Sequence, residues 1–307
     1  MLVLAPVTTH LLQIGEPAAP VPESTWQERL AALKAWLSPY RRVLVAYSGG
    51  VDSSMLLRVA HDVLGEGATG VIGRSDSYAQ RELALALEQA EGFGAGVMVV
   101  TTGELSDPNF RSNPTDRCYH CKTQLYQQLS SLATRLEADV VVDGTIADDL
   151  GDWRPGRRAA AERDVRSPLA DLGFTKADVR AVAAAYGLPS REKPASPCLA
   201  SRIPYGMEIT PGKLAMVEAA EDLLRSEGFA ELRVRHHGDV ARIEVPLGDL
   251  PRVLAPGTRE RLADGLKALG FRHITLDLEG FRPGNLNPPA LQRRETGLDG
   301  AQSVKES

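Results

Sequence analysis

Three cysteines in 307 residues are too few for a disulfide framework, so each is a candidate for reactivity or metal binding. No run of 18 apolar residues occurs, and no membrane-spanning helix is expected. The stretch Leu2 to Val7 lacks the basic start and the apolar length of a signal peptide, which makes the cytoplasm the expected compartment. A formal net charge of -5 argues against a dedicated nucleic-acid surface, which needs a basic stripe. No internal repeat is present.

What remains is a chain with 43% hydrophobic residues, long enough for a large core and for two domains. Residues 1 to 22 carry Pro, Thr and Ala without a period and read as a loose arm. Ser24 is placed to cap a helix over Thr25 to Leu37, with Trp26, Leu30, Leu33 and Leu37 on one face. Strands then alternate with helices: Val43 to Tyr47, a helix to Leu64, Ala68 to Ile72, Ala79 to Glu91, Val97 to Thr101, a helix near Cys121 to Leu136, and Val140 to Asp143. The alternation predicts an α/β fold with a parallel sheet covered on both faces, whose ligands sit beyond the carboxyl ends of the strands, near Ser48, Gly73 and Gly144.

The pattern changes at Thr210 and Pro211, an N-cap and first helical residue. A hairpin follows, Glu231 to His236 and Ala241 to Val245 around Gly238 and Asp239, then a helix over Arg259 to Leu269 and a strand from His273 to Leu278. The predicted division is 23–205 for the first domain, 206–281 for a smaller α+β domain, and 282–307 for a disordered tail.

The first chemical signal is Ser48, Gly49, Gly50, Val51, Asp52, Ser53 and Ser54, directly after a buried strand. Gly49 and Gly50 let the backbone approach a ligand, and a helix starting inside the loop turns its free amides toward a polyanion. The lysine of a Walker A loop is missing and an Asp stands in its middle. The segment resembles the pyrophosphate loop of the PP-loop ATPases, which split ATP between the α and β phosphates. Asp52 suits a magnesium ligand in that setting; a serine-rich turn capping an ordinary helix is the plain alternative.

The second signal is Cys118 and Cys121 in Cys-Tyr-His-Cys, with Cys198 far away in sequence. Two thiols at that spacing can share a metal centre, and a third would leave one position open. Zinc with His120 as fourth ligand and three unrelated core cysteines are the other readings. Arg117, Lys122 and Arg202 stand beside the cysteines and would favour thiolates.

From Cys198 through Leu199, Ala200, Ser201, Arg202, Ile203, Pro204, Tyr205 and Gly206, the chain resembles the LarE family of sulfur transferases, which help build the nickel-pincer nucleotide cofactor of lactate racemase. The resemblance spans roughly residues 25 to 280 and includes Gly144, Thr145, Asp148, Asp149, Arg154, Pro155, Gly156, Ser167, Pro168, Leu169, Lys193 and Pro194. It implies an adenine nucleotide alpha hydrolase-like PP-loop domain with a small second domain, a homo-oligomer such as a hexamer, and ATP with Mg2+. The implied substrate is pyridinium-3,5-biscarboxylic acid mononucleotide, whose carboxylates become thiocarboxylates. One branch of the family gives up the sulfur of the cysteine at position 198 and leaves dehydroalanine; the other holds a 4Fe-4S cluster on three cysteines. This chain has the cysteines of the second branch.

The expected roles follow. Ser48 to Ser54 and Gly144 hold ATP, Asp52 the phosphate-bound metal, and Cys118, Cys121 and Cys198 the sulfur-bearing centre, with Cys198 as donor position. Ser201, Arg202, Arg233 and Arg235 are assigned to the substrate, since Arg at alternate strand positions aims two forks to one side. A solvated strand face is the other reading of Arg233 and Arg235. Asp148, Asp149 and Asp152 could bind a cation or simply be solvated, and Trp153 could line a pocket or anchor its loop. The rival functions are a PP-loop tRNA thiolase, an amide-forming enzyme, and a nucleotide-binding sensor. The first needs a basic surface, and the second a glutaminase nucleophile at the N-terminus; neither is visible.

Overall fold

The computed structural model describes residues 24–151, 155–194 and 196–282. The expected loose arm, almost all of the tail, and Asp152, Trp153 and Arg154 lie outside the described residues.

Four strands, β1 (Val43–Ala46), β2 (Ala68–Arg74), β3 (Gly96–Thr101) and β4 (Val140–Val142), form a parallel sheet in the order β3-β2-β1-β4. Helix α1 (Trp26–Leu37) precedes them, and between and after them run α2 (Val51–Leu64), α3 (Gln80–Gly92), α4 (Pro108–Arg111), α5 (Arg117–Leu136), α6 (Gly156–Ala161), α7 (Pro168–Asp171) and α8 (Lys176–Ala185). All four residues of β1 are buried, because the strand is covered on both faces. Val43 and Val45 pack into one cluster with α1, α2 and α8, while Leu44 and Ala46 pack into another with Tyr126, Leu129 and Leu132 of α5. Strand order reverses at β1, since β2 lies on one side and β4 on the other. Ligands in open α/β sheets bind at such a switch point, which here opens between the β1–α2 loop and Gly144.

Three local differences from the sequence reading have physical causes. Thr25, not Ser24, caps α1, because Glu28 three residues on closes a capping box: Glu28 N donates to Thr25 Oγ1 at 3.3 Å, and Thr25 N to the Glu28 carboxylate at 2.7 Å. Helix α5 begins at Arg117, so Cys118 and Cys121 sit one turn apart in its opening turns. Helix α8 was not expected, although Thr175 and Asp178 form the same kind of box.

Beyond residue 206, α9 (Pro211–Ser226) is capped by Thr210, whose side chain accepts from Lys213 N. A second sheet follows, β5 (Arg233–His237), β6 (Val240–Glu244) and β7 (His273–Leu276), with α10 (Leu250–Leu254) and α11 (Thr258–Ala268) between the last two. The β5–β6 pair is an antiparallel hairpin turning at Gly238, where φ is +67°, and β7 joins β6 in parallel. Leu224, Val234, Ile243, Leu266 and Phe271 form its separate core. Helix α3 has no side-chain cap of its own, and Gln80 N instead donates to Glu218 of α9 at 2.6 Å. No helix among the described residues is long and apolar enough to cross a membrane.

Candidate nucleotide and sulfur site

The β1–α2 loop is shaped for close approach. Gly49 has φ +66°, and a Cβ there would meet Ala86 Cβ at 2.6 Å. A Cβ on Gly144 would stand 2.8 Å from Ser53 N, so the β4 end passes directly against the first turn of α2. Ser53 ties the loop together: its hydroxyl accepts from Ser48 N at 3.1 Å and donates to Gly50 O at 3.2 Å. No side chain caps α2, and its N-terminal amides face the loop mouth.

The lysine absent from the loop arrives from elsewhere. Lys176, at the start of α8, meets both Asp52 oxygens at 2.7 Å. Lys193 donates to Gly49 O at 3.3 Å and pairs with Glu82 at 2.8 Å. Asp148 and Asp149 are not gathered around a common point: Asp148 accepts from Lys176 N at 2.8 Å and Asp149 from Ile146 N at 3.2 Å.

The cysteines come from two segments that one residue holds in register. Asn113 is fully buried with φ +55°; its amide donates to the carbonyls of Ile203, Pro204 and Met207 at 3.1, 2.8 and 3.2 Å. Its Oδ1 accepts from Arg117 at 2.8 Å, and Arg117 lies over the Tyr205 ring at 4.5 Å. The start of α5 is thereby fixed against the Cys198–Gly206 segment. Cys118 is exposed, while Cys121 and Cys198 are half-buried against Phe110 and Leu199.

The neighbouring cations do not produce a thiolate at Cys121. Burial pushes that thiol well above the usual range, Glu104, Cys198 and Cys118 push the same way, and Lys122 opposes them weakly. Arg202 is occupied by Glu221 and by the carbonyls of Pro197 and Cys198. Glu104 is buried; one oxygen accepts from the Ser75 and Ser77 hydroxyls, and the other has no hydrogen-bond partner among the described residues. An orphaned buried carboxylate oxygen beside thiols fits a cationic centre. Among the described residues no three His, Cys, Asp or Glu side chains gather tightly enough to hold one metal ion.

Arg202, Arg225, Arg233 and Arg235 collect around two buried carboxylates. Arg202 meets Glu221 at 2.8 and 3.1 Å, and Arg235 meets Glu244 at 2.7 Å and donates to Ser201 O at 3.1 Å. Burial raises Glu221, yet Arg202, Arg233 and Arg225 outweigh it and hold the carboxyl below its ordinary range. Arg233 donates to Leu232 O at 2.7 Å and lies over Phe281; burial, with Arg202 beside it, lowers it to about 10.

A pocket joins these parts. Tyr78, Arg81, Glu82, Cys198, Arg202, Glu221 and Arg225 line it. Tyr78 also donates to Ser48 O at 3.0 Å, and burial pushes its phenol well up. Tyr78 thus links the pocket that holds Cys198 to the β1–α2 loop, whereas Cys118 and Cys121 are not among the lining residues. Sequence reasoning missed Lys176, Tyr78, Asn113, Glu104 and Glu221. Only the capping box at Thr175 was a local signal, and it marks a helix rather than a partner for Asp52.

No family model matches the chain. It is 43% identical over 261 residues to an uncharacterised protein of Synechocystis sp., covering 85% of this chain and 97% of that one. It is 41% identical over 265 residues to the pyridinium-3,5-bisthiocarboxylic acid mononucleotide synthase of Lactiplantibacillus plantarum, covering 86% and 95%. An uncharacterised protein of Methanocaldococcus jannaschii is 29% identical over 242 residues, covering 79% and 91%.

Proposed function

The chain belongs to the LarE family, and on that premise we propose that it is an ATP-dependent sulfurtransferase. It converts a carboxylate of pyridinium-3,5-biscarboxylic acid mononucleotide into a thiocarboxylate and releases AMP and pyrophosphate. The observation that carries this reading is the pair of bridges from the Cys198 pocket to the loop. Tyr78 and Glu82 line the Cys198 pocket, and both reach the loop, Tyr78 through Ser48 O and Glu82 through Lys193 and Gly49 O. A carboxylate activated at the loop would stand beside the thiol.

A carboxylate is a poor electrophile. Its oxygen first attacks the α-phosphorus of ATP, the bond to the bridging oxygen breaks, and pyrophosphate leaves. The amides of Gly49 and Gly50 and the Lys176 ammonium are placed to balance the departing charge, and Asp52 would hold a magnesium ion that would supply further positive charge there. The Asp52–Lys176 pair would part for this, freeing Asp52 to hold the metal and Lys176 to meet phosphate. Sulfur then attacks the acyl carbon and AMP departs.

Cys118, Cys121 and Cys198 would hold a 4Fe-4S cluster, which would supply a bound sulfide as the transferred atom. The orphaned Glu104 oxygen and the neighbouring thiols support that assignment. One observation favours a second reading: Cys198 alone lines the pocket, as a sacrificial donor would. In this proposal residues 23–205 form the ATP-binding domain and 206–281 the smaller one. The protein works in the cytoplasm as a homo-oligomer, without a nucleic-acid partner.

Enzyme given ATP and the mononucleotide should release AMP and pyrophosphate, and Asp52→Asn should slow this about a hundredfold or more with the fold intact. Release of ADP and orthophosphate would overturn the assignment. Replacing any one of the three cysteines with Ala should remove iron and activity together. Full activity in Cys118→Ala, with spent wild-type protein lighter by roughly 34 Da from loss of the Cys198 sulfur, would select the sacrificial reading.

A further inference from the structure

Five charged side chains line the pocket beside Cys198, and four are committed to partners. Glu82 pairs with Lys193 at 2.8 Å. Arg202 and Glu221 make a buried two-point pair at 2.8 and 3.1 Å, and Arg225 meets Glu221 at 3.0 Å and Asp222 at 2.9 Å. The fifth, Arg81, is exposed and makes no ion pair or hydrogen bond among the described residues.

Its backbone, by contrast, is held. Arg81 is the second residue of α3, and the residue before it donates its N–H to Glu218 at 2.6 Å. A free guanidinium fork on an anchored helix start, in a pocket with three arginines against two glutamates, is suited to two-point capture of an oxyanion.

We propose that Arg81 is the specificity residue that receives an oxyanion of the substrate, its phosphate or its non-reacting carboxylate, and so orients the reacting carboxylate between the loop and Cys198. The inference rests on the sulfurtransferase reading. Arg233 and Arg235, nominated from their strand spacing, already have protein partners for their guanidinium groups. Arg81 has none to give up before it binds.

Steady-state kinetics and calorimetric binding of the mononucleotide to wild type, Arg81→Ala and Arg81→Lys test this. Arg81→Ala should raise the KM and Kd for the mononucleotide about tenfold or more, the ~1.4 kcal/mol scale of one charge-assisted hydrogen bond, while the KM for ATP stays within about twofold. Arg81→Lys should recover part of the loss. A penalty that vanishes with the dephosphorylated riboside identifies the phosphate as the contacted group, and one that persists identifies the carboxylate; either sustains the proposal. Wild-type turnover with an unchanged KM and Kd in Arg81→Ala overturns it alone. Wild-type protein that neither binds nor thiolates the mononucleotide overturns the substrate reading, and this inference with it.

Discussion

At the scale of single residues, burial sets Cys121 apart from the exposed Cys118. Burial, reinforced by Glu104 and by the other two cysteines, keeps Cys121 protonated, while Cys118 is exposed. An unfolded thiol ionises at about 8.5, so the protonated, half-buried Cys121 contributes stability that is full below that pH. The contribution is lost as pH rises toward the higher folded value. In metal-free protein at neutral pH, iodoacetamide should therefore modify Cys118 first, with Cys121 slower by about tenfold or more and catching up only in strong alkali. Peptide mass spectrometry over a pH series reads this directly, and equal rates at Cys118 and Cys121 near neutrality would sink the idea. The same neighbourhood shows why the flanking cations misled: Arg117 is turned to Asn113 and Tyr205, and Arg202 to Glu221.

At the scale of elements, the nucleotide loop depends on how closely β4 runs past α2. A Cβ at position 144 would meet backbone at 2.8 and 3.1 Å, atoms that cannot swing aside. Gly144→Ala should cost about 1–3 kcal/mol of stability and weaken ATP binding, measured by thermal unfolding and calorimetry. Gly151→Ala, where an added Cβ would meet no atom of the described residues within 4 Å, is the control, and equal effects at both positions would refute the packing argument. The loop and the β–α alternation were legible because they are written in contiguous residues. Helix α8 was missed although Val179, Val182 and Ala183 give it a buried stripe at helical spacing and Thr175 with Asp178 a capping box, so its local signals were present in the sequence. Lys176 escaped for another reason: it lies 124 residues from Asp52, and no local pattern encodes a partner at that distance.

At the scale of the whole molecule, the sheet order could not be read from the sequence, because alternation fixes strand direction but not which strands are neighbours. The charge network between α9, β5 and the segment after Cys198 was illegible for the same reason. Alternate spacing puts Arg233 and Arg235 on one side of β5, but it does not encode the pairing of Arg235 with Glu244 or the closeness of Glu221 to Arg233. One contact has a temporal meaning as well. The parallel sheet is complete once Val142 has been made, yet the acceptor for the first amide of α3 is Glu218. A ribosome emits the α3 segment long before that carboxylate exists, so the helix bearing Arg81 and Glu82 emerges with its leading amide unmet. The pocket wall is finished only when the later-synthesised α9 brings Glu221 and Arg225 against Arg81 and Glu82, so the nascent parallel-sheet half cannot form the pocket by itself.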